Sequence, residues 1–339
     1  MKEAMLYEKL EGNKVRCNLC NHRCVIPDGG RGVCRVRENR GGTLYSLVYS
    51  KAIAANVDPI EKKPIFHLAP GSTSMSIATV GCNFRCPFCQ NWQISQILDP
   101  KGEIRGQDFP PEDVVAAAKH YRCKSISYTY TEPTIFFEYA YDTAVLAHKE
   151  GIYNVFVTNG FMTTDALEAI KDYLDAANVD LKSFRDETYR KLGGRLNGVL
   201  DSLKKMKELG IWVEVTTLIV PGMNDSEEEL RDIARFIAQE LGPETPWHVS
   251  RFHPDYKMLD RGSTPISKIE RAREIGLEEG LRYVYSGNVP GDPGENTYCY
   301  NCGTTLIERF GFRIVENRIQ NSRCPVCGAK VDGVEMSWR

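Results

Sequence analysis

Cys82-Asn83-Phe84-Arg85-Cys86-Pro87-Phe88-Cys89, one glycine after the apolar run 75–80, is the stretch from which the rest of the chain is read. Its three thiols stand in a C-x3-C-x2-C spacing on one loop behind a strand. A [4Fe-4S] cluster normally takes four thiolates, so three on one loop leave one iron free to bind something other than protein. A zinc site suits the spacing less well. Zinc wants four ligands, commonly in C-x2-4-C pairs, and the next cysteine, Cys123, is distant and falls on a different element.

Working outward from that loop, short β-branched or aromatic runs recur at 75–80, 125–130, 154–157, 178–181, 212–220, 247–252 and 281–285. Between most of them lie stretches of helical periodicity with start signals: Pro111-Glu112-Asp113, Thr164-Asp165 and Asp225-Ser226-Glu227. Steady strand–helix alternation predicts an α/β fold, a parallel sheet closed into a partial or complete (β/α) barrel over residues 71–290. Loops at the C-terminal ends of the strands then carry the site, and Cys82, Cys86 and Cys89 follow the first strand. Cys123, at the start of the second strand, reads as core.

The other cysteines flank this unit. Cys17, Cys20, Cys24 and Cys34 lie in a Gly-, Asn- and Arg-rich segment that suggests a metal-organised lobe over 1–70. Their spacing suits zinc, with His22 as a spare ligand, or an auxiliary iron–sulfur cluster, zinc being slightly preferred. After the loop-like Pro290-Gly291-Asp292-Pro293-Gly294, the pairs Cys299/Cys302 and Cys324/Cys327 each run C-x2-C-G. Two such turns complete a tetrahedral four-sulfur site for zinc or, second to it, rubredoxin-like iron, so 291–339 reads as a zinc-ribbon-like module. Zinc binding then supplies folding energy that so small a core lacks.

The 339 residues balance 43 basic against 45 acidic side chains, which gives no electrostatic footprint for nucleic acid. No apolar run reaches the length of a membrane span, and the charged beginning lacks the apolar core of a signal peptide. Twelve cysteines, eleven of them in three groups, fit metal ligation in a reducing, cytoplasmic setting.

The cluster loop, with an aromatic at Phe88, resembles that of the radical S-adenosylmethionine (SAM) superfamily, where the free iron chelates the amino and carboxylate groups of SAM. Several strand ends resemble its activase-like branch. Tyr128-Thr129-Tyr130-Thr131-Glu132-Pro133 stands where that branch has a Gly-Gly-Glu-Pro-like sequence meeting the SAM amino group, Tyr130 and Thr131 replacing the glycines. Val157-Thr158-Asn159-Gly160 matches a Thr-Asn-Gly turn but has Val157 where activators often carry an acid for a monovalent cation. The resemblance implies that Lys182 meets the SAM carboxylate while Asp180 helps position the site, that the loop from Val220 borders the ribose and methionine, and that His253 touches the ribose. Asp180 and Lys182, two apart, face the same side of an extended chain. Together with Asp58-Pro59-Ile60-Glu61-Lys62-Lys63-Pro64, Gln90-Asn91-Trp92 and Tyr285-Ser286-Gly287-Asn288-Val289-Pro290-Gly291, these motifs are similar to those of the AmmeMemoRadiSam system radical SAM enzyme. That family is itself similar to pyruvate formate-lyase activating enzymes.

The resemblance implies a [4Fe-4S] cluster, SAM, and a one-electron reductant such as a ferredoxin or flavodoxin. It implies reductive cleavage of SAM to methionine and a 5'-deoxyadenosyl radical that takes hydrogen from a substrate, a protein in the glycyl-radical activase pattern. The competing expectation is a non-catalytic, metal-rich module that binds nucleic acid or protein. His67, ahead of the first strand, reads as packing.

Overall fold

The computed structural model describes residues 1–97 and 102–337. Seven parallel strands stand side by side in chain order: Thr73–Ala78, Ser125–Tyr128, Tyr153–Thr158, Ala176–Asp180, Trp212–Ile219, Trp247–Arg251 and Val284–Gly287. An antiparallel strand, Ala54–Pro59, covers the free edge of the first. The sheet is an open, partial barrel, because Val284–Gly287 pairs on one side only among the described residues. Ala54–Pro59 lacks strict alternation and carries a proline, and it is absent from the strands read in the sequence. Its pairing register with Thr73–Ala78, from Ala54 opposite Ala78 to Pro59 opposite Thr73, supplies what local propensity does not.

Helices Pro111–His120, Phe137–Lys149, Thr164–Ile170, Leu196–Glu208, Glu227–Phe236 and Ile266–Glu278 are the long connections of this layer. Their starts follow local chemistry. Ser226 Oγ accepts the Glu229 N–H and Thr163 Oγ1 accepts the Ala166 N–H, each satisfying a donor that the helix leaves open. One face of each packs on the sheet; Leu230, Ile233 and Ala234 of Glu227–Phe236 are all buried.

The N-terminal lobe is built from two three-stranded antiparallel sheets, one of Tyr7–Lys9, Val15–Cys17 and Val25–Ile26, the other of Lys2–Glu3, Arg37–Arg40 and Thr43–Ser46. Its apolar residues Val15, Leu19, Ile26, Val36 and Leu44 join the barrel's own hydrophobic core. A buried ion pair, Arg37 to Glu138 at 2.7 Å, fastens it to the helix Phe137–Lys149. The C-terminal module pairs Thr297–Tyr298, Thr305–Phe310 and Arg313–Asn317 around a small separate core that includes Cys299 and Cys324.

That module docks beneath the sheet, on the side away from the cluster loop. Glu214, fully buried on the fifth parallel strand, accepts from the backbone of Phe66 and His67 and from Trp212 Nε1 and His248 Nε2 at 2.7–3.1 Å. His67 donates through Nδ1 to the Asp332 carbonyl at 2.7 Å and accepts the Tyr285 hydroxyl at 2.6 Å, so the imidazole is a packed structural brace between barrel and module. Burial, above all, lowers the His67 pKa to about 4. Burial acts to raise Glu214, but the hydrogen bond and charge of His248, the charge of His67 and the Phe66 N–H outweigh it and hold the carboxylate below its ordinary range.

Between about pH 4 and the ordinary imidazole value near 6.5, the unfolded chain therefore binds a proton at His67 that the folded chain refuses, so stability rises with pH across that window. We expect chemical denaturation to show stability falling by up to about 3 kcal/mol from pH 7 toward pH 4, with the slope flattened in His67→Phe. Glu214→Gln, which turns a four-fold acceptor partly into a donor, should cost about 3 kcal/mol at pH 7.

Candidate functional site

The loop after the first parallel strand turns at Gly81, whose φ of +100° excludes an ordinary side chain and whose missing Cβ would lie 2.7 Å from Val36 Cγ1 and 3.0 Å from the Cys34 carbonyl oxygen. Beyond it, Cys86 is buried and Cys82 and Cys89 are partly buried. The Phe84 N–H approaches Cys82 Sγ at 3.4 Å, and Ser95 Oγ lies 3.2 Å from Cys89 Sγ. Arg85 donates to the Cys82 carbonyl at 2.7 Å, and the Lys257 N–H caps the Pro87 carbonyl at 2.9 Å. Phe88 is buried against the core.

Burial pushes the Cys82 thiol well up, helped by the charge of Glu132; it pushes Cys86 up to about 11, with Lys182 pulling the other way. A bound metal reverses that preference by deprotonating a thiol outright. The three sulfurs do not draw together to the spacing of a single-ion site, since no three of their ligand atoms lie within 4.8 Å of one another among the described residues. Asn83 is 1% exposed, and its Nδ2 has no protein partner although Oδ1 accepts from Asn159 Nδ2 at 2.7 Å. An unspent buried donor on the residue next to Cys82, in a loop of three thiols set wider than a single-ion site, suits an iron–sulfur cluster, whose sulfurs accept hydrogen bonds.

Strand ends surround this loop. Glu132, 3% exposed after the second strand, accepts from the Thr134 N–H and Oγ1, from Thr158 Oγ1 at 2.7 Å and from the Asn159 N–H at 2.8 Å. Burial raises its pKa, against the pull of those donors. Its carboxylate is thus engaged by protein, and it gathers the ends of the second and third strands instead of standing open. Thr131 donates to the Thr79 carbonyl at 2.8 Å, which ties the same turn to the first strand.

On the fourth strand end, Lys182 Nζ lies 2.9 Å from Asp180. Burial opposes the ammonium, but Asp180 and the neighbouring Cys86 more than offset it, and the lysine pKa is raised. Leu181 points into the core. Val220, also in the core, donates its N–H to Asn224 Oδ1, while Asn224 Nδ2 bridges the Lys182 and Leu218 carbonyls at 2.8 Å each. His253, after the sixth strand, is exposed and hydrogen-bonded to Ser263 at 3.0 Å.

Asn83, in the cluster loop, and Asn224, in the loop from Val220, give no signal of their own in the sequence. Only the fold shows that they join separate strands. A third missed feature lies at Tyr130, which adopts φ +62°, a conformation costly for a bulky residue. Its hydroxyl donates to Asp58, which also takes Lys62 and Lys63 at 2.8 and 2.6 Å, and Lys63 Nζ lies over the Tyr130 ring at 4.5 Å. Burial acts to raise Asp58, but the bonds from Lys62, Lys63 and Tyr130 win and hold its pKa low.

In the C-terminal module, Cys299 and Cys327 are 3.6 Å apart and Cys302 and Cys324 3.7 Å, with all four sulfurs within 4.8 Å. Four sulfurs at about 2.3 Å from one ion would stand about 3.8 Å apart, so this set matches a tetrahedral metal site.

The family model described as the radical SAM superfamily matches residues 76–237, which spans the cluster loop and the strand ends just described. Residues 76–237 are a radical SAM domain, and the chain is a radical SAM enzyme similar to activases. An uncharacterized protein of Methanocaldococcus jannaschii is 50% identical, covering 98% of this chain and 99% of its own. The pyruvate formate-lyase-activating enzyme of Clostridium pasteurianum is 25% identical over 60% of this chain and 87% of that enzyme. The isethionate sulfite-lyase activating enzyme of Oleidesulfovibrio alaskensis is 29% identical over 77% and 82% respectively. Among solved structures, a radical SAM methyltransferase from Sphaerobacter thermophilus aligns with a TM-score of 0.51 at 17% identity, over 67% of this chain and 70% of that one, a likeness of fold. The superfamily implies a [4Fe-4S] cluster and SAM, and a non-catalytic binding module is not favoured. No helix among the described residues is long and apolar enough to cross a membrane.

Glu132→Gln would present an amide N–H2 to groups that already donate. It should lower stability by about 2 kcal/mol in chemical denaturation, while Thr131→Val, which loses a single bond to a carbonyl, should cost about 1 kcal/mol.

Proposed function

We propose that Cys82, Cys86 and Cys89 hold the [4Fe-4S] cluster of a SAM-cleaving enzyme whose substrate is a protein, in the manner of a glycyl-radical activase. The observation that carries this reading is the three-cysteine loop with the unspent buried Asn83 Nδ2 on the residue next to Cys82, bordered by the strand ends of Glu132, Thr158-Asn159 and Asp180/Lys182. When bound, cluster and SAM supply a one-electron cleavage of the sulfonium to methionine and a 5'-deoxyadenosyl radical that abstracts hydrogen from the substrate.

The chain's own residues bind and orient. Lys182, kept charged by Asp180, is the cation for the SAM carboxylate. Glu132 acts on SAM chiefly by fixing the Thr134 and Asn159 peptides and the Thr158 hydroxyl, since its oxygens are already taken. Val220 and Asn224 shape the wall beside Lys182, Phe88 packs behind the last cysteine, and His253 remains accessible for a ribose. The core packing under the strand ends buries Cys86 and Phe88, while Cys82 and Cys89 stay partly open. Cys299, Cys302, Cys324 and Cys327 hold zinc as a structural ion. The reductant is a low-potential one-electron protein donor, and the compartment is the cytoplasm. The chain divides into a lobe over 1–70, a barrel over 71–290 and a ribbon over 291–339. Similarity to two activating enzymes supports the protein-substrate reading.

Anaerobic reconstitution followed by dithionite and SAM should release 5'-deoxyadenosine, and Cys86→Ala should abolish it; undiminished release from Cys86→Ala would refute the assignment. Lys182→Met should keep the cluster's absorbance while weakening SAM binding by about tenfold to a hundredfold, read by calorimetry. Stripping zinc should make residues 297–337 protease-sensitive and leave the barrel cluster's absorbance intact.

A further inference from the structure

The N-terminal quartet is not used by the reading above, and the fold gives it a particular setting. Cys17, Cys20, Cys24 and Cys34 line one pocket, together with His22, Arg37, Thr134 and Ile135. Unlike the C-terminal four, their sulfurs do not close on a single-ion spacing: no three ligand atoms of this group lie within 4.8 Å among the described residues. The same is true of Cys82, Cys86 and Cys89. One chain thus holds a compact four-sulfur set of zinc dimensions and two wider sets, one of which belongs to an iron–sulfur cluster by family.

The cavity also faces an unspent donor. Arg37 is 2% exposed, and two of its nitrogens are held by Glu138 at 2.7 and 2.8 Å, while its Nε–H has no partner. A buried N–H at a thiol-lined cavity calls for an acceptor, which cluster sulfide or thiolate supplies. His22 does not complete a zinc set through Nε2, because that nitrogen donates to the Asn83 carbonyl at 2.9 Å.

The third observation is where the lobe touches the barrel. Three contacts converge on Cys82. The Cys34 carbonyl packs against Gly81, His22 bonds Asn83, and Arg85 bridges the Cys82 carbonyl at 2.7 Å and the Val33 carbonyl at 2.6 Å. Every link joins a lobe cysteine, or a residue within two of one, to Cys82 or a residue next to it. On the outer side Val25 and Val33, next to Cys24 and Cys34, are exposed. A structural zinc site needs no such path from surface to active-site loop.

We propose that Cys17, Cys20, Cys24 and Cys34 bind a second iron–sulfur cluster that relays electrons from an external low-potential protein donor, an iron–sulfur or flavin protein, to the barrel cluster. Each transfer moves one electron and breaks no bond in the lobe; the donor is oxidised by one electron, and that electron is consumed in cleaving the SAM sulfonium. The relay rests on the barrel cluster proposed above, whereas the metal identity does not.

The full chain, reconstituted anaerobically, should carry about eight iron atoms, as two four-iron clusters require, and about one zinc. Iron for one cluster with two zinc ions would overturn the proposal without any variant being made. Cys82→Ala/Cys86→Ala/Cys89→Ala should keep half the iron and a reduced paramagnetic resonance signal that SAM does not change. Cys20→Ala/Cys24→Ala should keep the SAM-responsive signal and cleavage with dithionite, yet lose cleavage with reduced flavodoxin. Equal cleavage with both reductants in that double variant would overturn the relay. Fully reduced wild-type protein should show the two signals broadened by each other. If eight irons are found but SAM perturbs neither signal, the SAM-cluster assignment fails while the lobe cluster stands.

Discussion

A chain of hydrogen bonds running from Glu132 to His22 holds the site together. The Glu132 carboxylate takes the Asn159 N–H, Asn159 Nδ2 reaches Asn83 Oδ1, and the Asn83 carbonyl takes His22 Nε2. Four separate pieces of chain, the ends of the second and third strands, the cluster loop and the N-terminal lobe, are thereby fixed relative to one another. A buried carboxylate is expensive to desolvate, and it persists here because four donors converge on it. The same convergence makes the site intolerant of slack, since each donor belongs to a different peptide or hydroxyl whose position then determines the next.

The opposite side of the sheet repeats the device for a different purpose. Glu214 and His67 form a buried polar knot that joins the barrel to the ribbon, with Arg309 inserted against Phe66 at 4.1 Å and bonded to Thr297 at 2.7 Å. Neither end of the barrel is held by apolar packing alone. Hydrophobic burial makes the sheet and helices stick, and these charged hubs choose which loops and modules sit at each end, because an ion left unpaired in the interior is penalised far more than a misplaced methyl.

Much of this was legible in residue order. The seven parallel strands fall within a few residues of the runs read from the sequence, because each is buried and β-branched or aromatic-rich between helical periods. The last begins three residues later than read, at Val284, as the apolar Leu281 and Tyr283 serve packing outside the ladder. The two C-x2-C-G turns announced a four-sulfur set, and the structure assembles it. Roles were harder to read than positions. Glu132 looks in sequence like an acid offered to a ligand, and only its four intramolecular donors show it as a scaffold. Asn83 and Asn224 gave no signal, since an asparagine in a turn is ordinary until the fold places a second strand against its amide. The edge strand Ala54–Pro59 was invisible for the same reason, its stability coming from a neighbour and not from its own pattern.

The segment Asp58-Pro59-Ile60-Glu61-Lys62-Lys63-Pro64 shows how distant wording can be one physical unit. This chain places Tyr130 at φ +62°, a conformation that suits glycine, and such strain in a non-glycine residue costs on the order of 1 kcal/mol or more. Nothing local to Tyr130 compensates for that cost. The compensation comes from the edge strand and the short helical turn after it, where Asp58 takes the tyrosine hydroxyl and two lysines while Lys63 covers the ring. Burial lowers Lys63 to about 8, so its charge at neutral pH depends on Asp58, and Asp58 in turn is held ionised by the lysines and by Tyr130. Removing any one of the three leaves a buried charge or a strained backbone without its partner. A glycine at 130 would relieve the strain and free the residues of 58–63 from that requirement, which is why the tyrosine and the acid–lysine segment make sense only as a pair, and why the antiparallel edge strand is part of the site's construction as well as a cover for the sheet.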